Sequence, residues 1–467
     1  MLFSSVTFLY FFLPIVLILY FIVPFRFKNF VLFASSIFFY FAGEPVYSLL
    51  MIGASLSGWL HGLWIHAWRG KKHARLPLVS SIVFGLAGLL FFKYTDFFLA
   101  NINGIFGTSI ALLKLSLPIG ISFYTFQILS YTIDVYRGTA AVQKSFLDFA
   151  TYVTFFPQLI AGPIVRYTLI ADELGSRTHS VENFAYGARR FLVGLGKKVL
   201  IANVLGEIGN VFTASNDKSV LFYWLAAIAF TLHIYFDFSG YSDMAIGLGR
   251  IFGFHFPENF NYPYISKSIT DFWRRWHMTL STWFRDYVYI PLGGNRVSRL
   301  KWVRNLFAVW LLTGFWHGAS WNFVVWGLFF GVLLVVEKLF LGKLLDKLPA
   351  VLRHIYVLFF VVISFVIFNA NDMSGAWVNL RGMFGFNDVP LVSSDALYYL
   401  RSYAVVLLIA VVGATPLFKR LAERLSASEK SRRILNIAEP VFLVALLCCV
   451  TAFLIDGSFN PFLYFRF

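Results

Sequence analysis

The chain has 467 residues, of which 59% are hydrophobic and only 13% are charged, and its mean hydropathy is +0.72. So little polar sequence cannot cover the surface of a soluble protein of this size, which excludes a soluble enzyme, a disordered protein and a secreted disulfide scaffold. Because the apolar stretches are continuous rather than alternating, an outer-membrane barrel is also excluded, and the composition predicts a polytopic α-helical membrane protein.

The charge balance is strongly basic, with 39 Lys and Arg against 23 Asp and Glu and a formal net charge of +16. In a soluble protein this excess would indicate nucleic acid, but in a membrane protein the cytoplasmic loops collect Lys and Arg. We therefore expect no nucleic-acid partner. Some of the Lys and Arg residues can also serve to bind an anionic substrate or cofactor.

The first apolar run, residues 6–23, is predicted to be an uncleaved membrane segment with the N-terminus outside the cytoplasm. No Lys or Arg precedes it, whereas Arg26 and Lys28 follow it, and a secretory signal peptide has the opposite order. Two predicted spans separate Arg26 from the basic loop at residues 69–75, so that loop lies on the same side of the membrane as Arg26. The two basic loops therefore support one orientation.

Further membrane segments follow along the whole chain. Spans are predicted at residues 30–41, 46–68, 76–92, 115–135, 221–236, 306–315, 321–336, 355–368, 403–417 and 441–454. Residues 146–164 and 185–204 are apolar but interrupted by Pro, Gly or basic residues, so we predict re-entrant or interfacial segments there. We expect roughly ten to twelve membrane segments in a single domain over residues 1–467, with the polar stretch at residues 419–433 as a loop.

The middle third contains a segment with mixed aromatic and basic character, residues 271–287. Its apolar residues at positions 272, 276, 280, 283 and 287 share one helical stripe, while Arg274 and Arg285 lie opposite and His277 lies at the boundary. This pattern predicts an amphipathic helix in the membrane interface, and arginines that face lipid headgroups are the simplest interpretation. Arg275 and Arg296 add two more cations nearby.

A second candidate is His317, which lies in an apolar run between Trp316 and Gly318. An ionisable ring in such a position is costly and usually faces a cavity or a partner. The small residues Gly314, Gly318 and Ala319 would allow another backbone, or a thin substrate, to approach closely. A neutral histidine that forms a hydrogen bond with a neighbouring helix explains the pattern equally well.

Several common catalytic patterns are missing from the sequence. It has no GxSxG, HExxH, P-loop or dinucleotide-binding motif, and its nine histidines lack metal-ligand spacing, so we expect no metal cofactor. It also lacks a pair of acidic residues within one span, which a proton-coupled transporter would be expected to have.

A set of segments in fixed order resembles one known family over nearly the whole chain. The segments are residues 117–127, 156–164, 237–247, 257–263, 272–296, 316–318 and 460–467. Together they resemble the membrane-bound O-acyltransferases, in particular the bacterial branch that takes part in O-acetylation of alginate and related polysaccharides.

The resemblance implies a ring of helices around a thinned centre with a tunnel through the membrane of the bacterial cell (the inner membrane). It implies acetyl-CoA as the cytoplasmic donor, a polysaccharide as the acceptor, and an extracytoplasmic SGNH-type acetyltransferase partner that completes the transfer. It also assigns His317 as the catalytic residue and His277 as a second active-site candidate.

The implied chemistry agrees with the residue types. Transfer from a thioester to a hydroxyl needs a base, and a desolvated neutral imidazole can take the hydroxyl proton. The donor carries several phosphates, for which guanidinium groups are suited. The predicted donor-binding residues are Arg274, Arg275, Arg285 and Arg296.

Four alternatives remain open from the sequence. Within the family, the same fold would serve peptidoglycan O-acetylation, or D-alanyl transfer to teichoic acid from a small carrier protein. From a different class, a transporter or channel for an anionic solute would use the same cationic centre. A non-catalytic scaffold for a polysaccharide synthase would tolerate every substitution of His317.

Overall fold

The computed structural model describes residues 2–457 and 462–463, and within those residues it contains helices and loops but no β-strand. It divides into two compact units, Met1–Phe191 with Ser242–Pro257, and Leu192–Tyr241 with Glu258–Phe467. The predicted single domain over residues 1–467 stays a prediction. Of the C-terminal segment that carried part of the resemblance, residues 460–467, all but Phe462 and Leu463 lie outside the described residues.

The first unit is built mainly from the N-terminal helices. After a wide π-type turn at Phe8–Phe12, the chain forms α1 Leu13–Ile22, α2 Phe25–Phe41, α3 Pro45–Trp68, α4 Arg75–Phe106, α5 Ile121–Arg137, α6 Phe146–Thr154, α7 Phe156–Leu159, α8 Tyr167–Gly175 and α9 Val181–Gly196. The predicted interruption near Pro157 is present, because α6 and α7 are separate helices. The predicted span at residues 115–135 begins later, because residues 107–120 are not helical and Gly120 adopts a left-handed conformation before α5.

The second unit contains the candidate catalytic residues. Its helices are α10 Asn203–Ala214, α11 Val220–Ile251, α12 Ile269–Trp273, α13 Met278–Phe284, α14 Arg299–His317, α15 Trp321–Val336, α16 Gly342–Leu345, α17 Ala350–Asn369, α18 Met373–Met383, α19 Ser394–Ser402, α20 Ala404–Gly413, α21 Leu417–Ser426 and α22 Glu429–Asp456. Further π-type turns occur at Lys197–Ala202, Arg285–Tyr289 and Glu337–Leu341.

Six helices among the described residues are long and apolar enough to cross a membrane, and a seventh span results if α19 and α20, which meet at a 59° bend, are counted together. The six are Pro45–Trp68, Arg75–Phe106, Val220–Ile251, Trp321–Leu345, Ala350–Asn369 and Glu429–Asp456. The all-α, polytopic membrane fold is thereby confirmed. The predicted ten to twelve segments also included shorter helices, and that number stays a prediction.

The polar stretch at residues 419–433 is not a loop as predicted. Most of it belongs to α21 and to the start of α22. The reason is helical spacing. Leu417, Phe418, Leu421 and Leu425 lie on one face of α21, and basic residues lie on the other face. Polarity alone was a poor guide to the backbone here.

Candidate active site

His317 is the last residue of α14 rather than an interior residue of an apolar helix, and a short turn through Gly318 leads back into α15. The two helices approach backbone to backbone at paired glycines. A Cβ atom on Gly314 would lie 2.4 Å from the carbonyl oxygen of Phe323, and one on Gly327 would lie 2.3 Å from that of Trp310. Gly314, which we expected to admit another backbone or a substrate, therefore admits another backbone.

The side chain of His317 is 5% exposed and lies among aromatic rings. Its ring meets those of Trp326 and Phe368 nearly edge to face, with centroid distances of 4.9 Å and 5.3 Å, and that of Trp316 at 5.0 Å. Rings packed in this way restrict the rotation of the imidazole and exclude water from it.

Asn322, at the start of α15, joins this turn to the end of α17. Its side-chain amide donates to the carbonyl oxygen of Ala370 at 2.8 Å, and it is fully buried. The end of α14, the start of α15 and the end of α17 therefore lie together, which places Phe368 against His317. No pattern in the sequence singled out Asn322.

The segment around His277 differs from the sequence prediction of one continuous amphipathic helix. The chain instead forms α12 and α13 with a break between them, where His277 has a left-handed backbone with φ of 43°. The break has a physical cause, because Asn259 accepts hydrogen bonds from the backbone and hydroxyl of Thr279, at 3.3 Å and 2.9 Å, and so starts α13 separately. Left-handed non-glycine residues are costly and occur often at functional sites.

His277 is 1% exposed and has a defined set of neighbours. Its Nδ1 atom is 3.2 Å from Oδ1 of Asn259, and its ring packs edge to face on Phe238 at 4.7 Å. Because the same Oδ1 already accepts from Thr279, Nδ1 is the donor and Nε2 is left as the acceptor nitrogen. Burial lowers the pKa of His277 to about 3, so the ring is neutral at physiological pH.

The structure brings the two candidate histidines together. Both rings contact the indole of Trp316, His277 at a centroid distance of 6.1 Å and His317 at 5.0 Å. The two residues lie in different sequence motifs, and the α14–α15 turn and the α12–α13 break meet at this tryptophan. Trp316, which the sequence offered only as part of a motif, is the residue that both histidines share.

A buried glutamate that was not predicted from the sequence holds the His277 segment in place. Glu337, at the end of α15, accepts from the backbone nitrogens of Ile269 and Thr270, both at 2.8 Å, and from the hydroxyl of Thr270 at 2.6 Å. A carboxylate at a helix N-terminus satisfies amides that have no intrahelical partner. A lone acid beside an apolar run was the signal that could have identified it.

The four predicted donor-binding arginines differ in their surroundings. Arg275 forms an ion pair with Asp271 at 2.8 Å and also donates to the carbonyl oxygen of Asn261. Arg285 forms an ion pair with its neighbour Asp286 at 2.7 Å but is 59% exposed. Arg274 and Arg296 are exposed. Arg275 therefore has a structural task, and the other three arginine side chains are exposed.

Another basic residue, Lys198, is fully buried and forms an ion pair with Asp237 in α11. The second oxygen of that carboxylate accepts from the backbone nitrogen of Leu463 at 3.0 Å. The ion pair compensates two charges that would be costly alone in an apolar interior. Lys198 is consequently not at a surface where it could bind donor phosphates.

No group of three or more His, Cys, Asp or Glu side chains suited to a metal ion occurs within residues 2–457 and 462–463. The expectation that no metal is needed stays a prediction.

Comparison with known proteins identifies the family. A family model described as the membrane-bound O-acyltransferase family matches residues 137–383. A probable alginate O-acetylase AlgI of Azotobacter vinelandii is 38% identical over a 499-residue alignment that covers 100% of both chains. The chain belongs to the membrane-bound O-acyltransferase family.

Two further relatives of this O-acyltransferase extend the comparison. A probable alginate O-acetylase AlgI of Pseudomonas aeruginosa is 44% identical over 391 residues, covering 83% of this chain and 75% of the relative. A peptidoglycan O-acetyltransferase of Helicobacter pylori is 34% identical over 514 residues, covering 100% of this chain and 98% of the relative.

Proposed function

We propose that this O-acyltransferase takes acetyl groups from cytoplasmic acetyl-CoA and passes them across the membrane for O-acetylation of an extracellular, alginate-like polysaccharide. The observation that carries the proposal is the meeting of His277 and His317 on Trp316, in a water-poor aromatic enclosure. The full-length similarity to alginate O-acetylases supports the choice of acetyl group and acceptor.

In the proposed reaction, His317 is the general base. Its imidazole takes the proton from an acceptor hydroxyl while the hydroxyl oxygen attacks the thioester carbonyl. The resulting tetrahedral intermediate collapses, the carbon–sulfur bond breaks, and the imidazolium returns the proton to the departing thiolate. The products are an acetate ester and the free thiol, and the enzyme regains its starting state.

His277 has a different proposed task. Its ring is held between Asn259 and Phe238, at the break between α12 and α13. Its donor nitrogen is occupied by Asn259 and its acceptor nitrogen is oriented by that bond. We assign it a positioning role, which keeps Trp316 and the reacting hydroxyl in place beside His317.

The donor is proposed to bind at the opposite end of α14 from His317. That helix begins with Arg299, Lys301 and Arg304, and loops rich in Lys and Arg face the cytoplasm. The exposed Arg274 and Arg296, with Arg285, add positive charge for the donor phosphates. Phosphates cannot enter hydrocarbon, so only the acyl-bearing arm of the donor would reach the histidines.

The cellular context follows from the same proposal. The protein would lie in the inner membrane of a bacterial cell with its N-terminus outside the cytoplasm. The hydroxyl that receives the acetyl group beside His317 would belong to an extracytoplasmic SGNH-type acetyltransferase partner, which would then transfer the acetyl group to a polysaccharide hydroxyl and regain its own. Acetyl-CoA would be the donor substrate, and no metal would take part.

Peptidoglycan O-acetylation is the second candidate, because the Helicobacter pylori relative also matches the chain over its full length. A teichoic acid D-alanyltransferase of Bacillus subtilis matches only 54% of this chain, and anion transport lacks an equivalent observation. The two acetylation candidates share the donor and the histidines and differ only in the acceptor.

The deciding experiment reconstitutes the protein in vesicles with radiolabelled acetyl-CoA on the side of the basic loops. Oligomannuronate, peptidoglycan fragments or no acceptor would be supplied on the other side with the purified partner. We expect label in the oligomannuronate with the wild type and not with His317→Gln. Label in peptidoglycan alone would replace the proposed acceptor, and solute flux that is insensitive to His317→Gln would indicate a transporter.

A further inference from the structure

The second unit contains a cavity of about 720 Å³, within the size range of small-ligand sites in proteins. It lies between α10, α11, α17 and α18, and Leu463 contributes to its wall. The cavity is separate from the aromatic enclosure, since neither His277 nor His317 lines it.

The cavity nevertheless adjoins the candidate catalytic centre through α17. Phe365, in its wall, packs on Trp276 at a centroid distance of 5.3 Å, one residue before His277. Ala370, also in the wall, accepts the bond from Asn322 that fixes the end of α17 near His317. The cavity therefore lies at the end of α17 that is nearest to His317.

That end is the extracytoplasmic end under the proposed topology. The basic start of α14 faces the cytoplasm, and His317 ends the same helix. A ligand that reaches the cavity from water would thus come from the side on which the acceptor is found.

Three side chains in the cavity wall can carry charge, namely Lys218, His233 and Asp372. The ammonium group of Lys218 lies 3.9 Å from the ring centroid of Phe212, and its nitrogen is buried without a hydrogen-bond partner among the described residues. Burial lowers the pKa of Lys218, and the negative charge of Asp395 counteracts that effect. An ammonium group that faces a cavity in this way is suited to an anionic ligand group.

The rest of the wall is suited to hydroxyls and ring faces. Asn379 supplies a side-chain amide, and Phe230 and Phe365 supply aromatic surface. The amide nitrogen of Asn210 also faces this region but donates to Glu207 at 3.1 Å. The nearby carboxylate of Asp372 is already engaged, because it accepts from the backbone nitrogen of Gly375 at 2.7 Å and caps α18. An amide, flat rings and an ammonium group together match a carboxylated sugar better than a lipid tail.

The rim beside Lys218 is held firmly. The backbone nitrogen of Val220 donates to the carbonyl oxygen of Pro390 at 3.0 Å, and the hydroxyls of Ser219 and Ser393 are 2.9 Å apart. Both serine side chains are buried. The lysine is therefore presented by a fixed loop, which lowers the entropic cost of binding.

We propose that this cavity binds a uronate-bearing segment of the acceptor polysaccharide, with Lys218 paired to a sugar carboxylate. The proposal rests on the proposed acetylation of an extracellular polysaccharide and adds that this chain itself, and not only its partner, recognises the acceptor. Binding there would hold the glycan beside the end of α17, near His317.

The test measures direct binding of oligomannuronate to the purified full-length protein in nanodiscs of zwitterionic lipid. Cello-oligosaccharide serves as the uncharged probe. Lys218→Gln is expected to weaken oligomannuronate binding about 10- to 100-fold, the range for losing a hydrogen-bonded charge. Lys218→Arg should retain most of the affinity, and Lys347→Gln, at an exposed position outside the cavity, should change it less than about threefold.

Equal affinity in wild type and Lys218→Gln, or equal binding of the uncharged probe, would overturn the proposal. Binding of the purified partner that depends on Lys218, without any oligomannuronate binding, would also overturn it and make the cavity a protein-docking site. His317→Gln separates this proposal from the proposed function, since it should abolish acetylation and leave oligomannuronate binding unchanged.

Discussion

His317 owes its proposed role to three aromatic neighbours and a helix end. Replacement by Ala removes the base, and loss of a general base lowers the rate about 10²- to 10⁴-fold. We therefore expect His317→Ala to lose at least about 100-fold in acetyl transfer while the protein is still recovered from membranes. The measurement is the initial rate of label transfer from acetyl-CoA, normalised to the amount of purified protein.

His317→Gln is the matched control for packing, because it retains hydrogen-bonding capacity without accepting a proton at neutral pH. Near-normal turnover in the Gln variant would mean that the histidine only fills the space between Trp326 and Phe368. A loss of turnover with unchanged thermal stability would support the base assignment.

His277 leads to a prediction about how protein stability depends on pH, rather than about the reaction rate. Its folded-state pKa of about 3 lies below the ordinary value of 6.5, so between these values the unfolded chain binds more protons than the folded one. The stabilising contribution is complete above pH 6.5 and is lost as the pH falls toward 3. The slope from one such group is at most about 1.4 kcal/mol per pH unit.

We expect the thermal midpoint of the purified protein to fall between pH 7 and pH 5, and His277→Gln to reduce that fall. His66→Gln, at an exposed position, is the control and should leave the pH dependence unchanged. If His277→Gln shows the same fall as the wild type, the ring is not held neutral by burial and its positioning role is wrong.

Among the helices, the α14–α15 hairpin is the element that sets the position of His317. A Cβ on Gly327 would lie 2.3 Å from the carbonyl oxygen of Trp310, whereas one on Gly331, one turn later, would be in ordinary contact at 3.4 Å. Gly327→Ala must push the helices apart and is expected to lower both stability and acetyl transfer. Gly331→Ala should affect neither, and thermal stability with initial rates checks both variants. Equal behaviour of the two variants would contradict the close helix contact.

The segment from α12 to the π-type turn at Arg285–Tyr289 is the proposed phosphate-binding element. Arg274 is exposed, whereas Arg275 is bonded to Asp271 and Asn261. We expect Arg274→Gln to weaken acetyl-CoA binding about threefold to tenfold at low salt and less at high salt, as for a solvent-exposed charge. Arg275→Gln is expected to lower protein stability instead.

The measurement is equilibrium binding of acetyl-CoA at two salt concentrations, with Arg401→Gln in α19 as an exposed control. Unchanged donor affinity after removal of Arg274, Arg285 and Arg296 together would leave these residues as lipid-headgroup contacts, the simplest interpretation of the sequence pattern.

At the scale of helices, the sequence predicted the apolar faces well and the breaks in the backbone poorly. The side chains at positions 272, 276, 280, 283 and 287 form the apolar stripe, and the segment from residue 271 to residue 287 is helical except at residues 274–277. The break at His277 depends on Asn259, a residue outside the segment, and periodicity within a segment contains no information about such a cap. Likewise, the end of α14 at His317 depends on a turn that its apolar neighbours do not signal.

For the whole molecule, hydropathy was enough to predict a polytopic α-helical membrane protein, because the bilayer demands long apolar helices of any such chain. The pairing of His277 with His317 was predictable only through the family resemblance, since it depends on tertiary contacts with Trp316. Glu337 and Asn322 were missed because single buried polar residues do not reveal which distant backbone they bind.

The orientation in the membrane is the remaining prediction at this scale. The loop at residues 69–75 between α3 and α4 contains four Lys or Arg residues, and such loops stay in the cytoplasm. We expect a cysteine at position 74 to react with a membrane-impermeant maleimide only after the cells are opened. The native Cys448 and Cys449 are exposed in α22, so both must first be replaced by serine.

A cysteine at position 371, beside the end of α17, is the matched position for the opposite side. Asn371 is exposed and follows the helix end that Asn322 holds near His317, so Asn371→Cys should react in intact cells. Labelling of position 74 from outside, with position 371 protected until the cells are opened, would invert the topology. The arginine-rich end of α14 would then face the acceptor side, and acetyl-CoA could not be the donor that binds there.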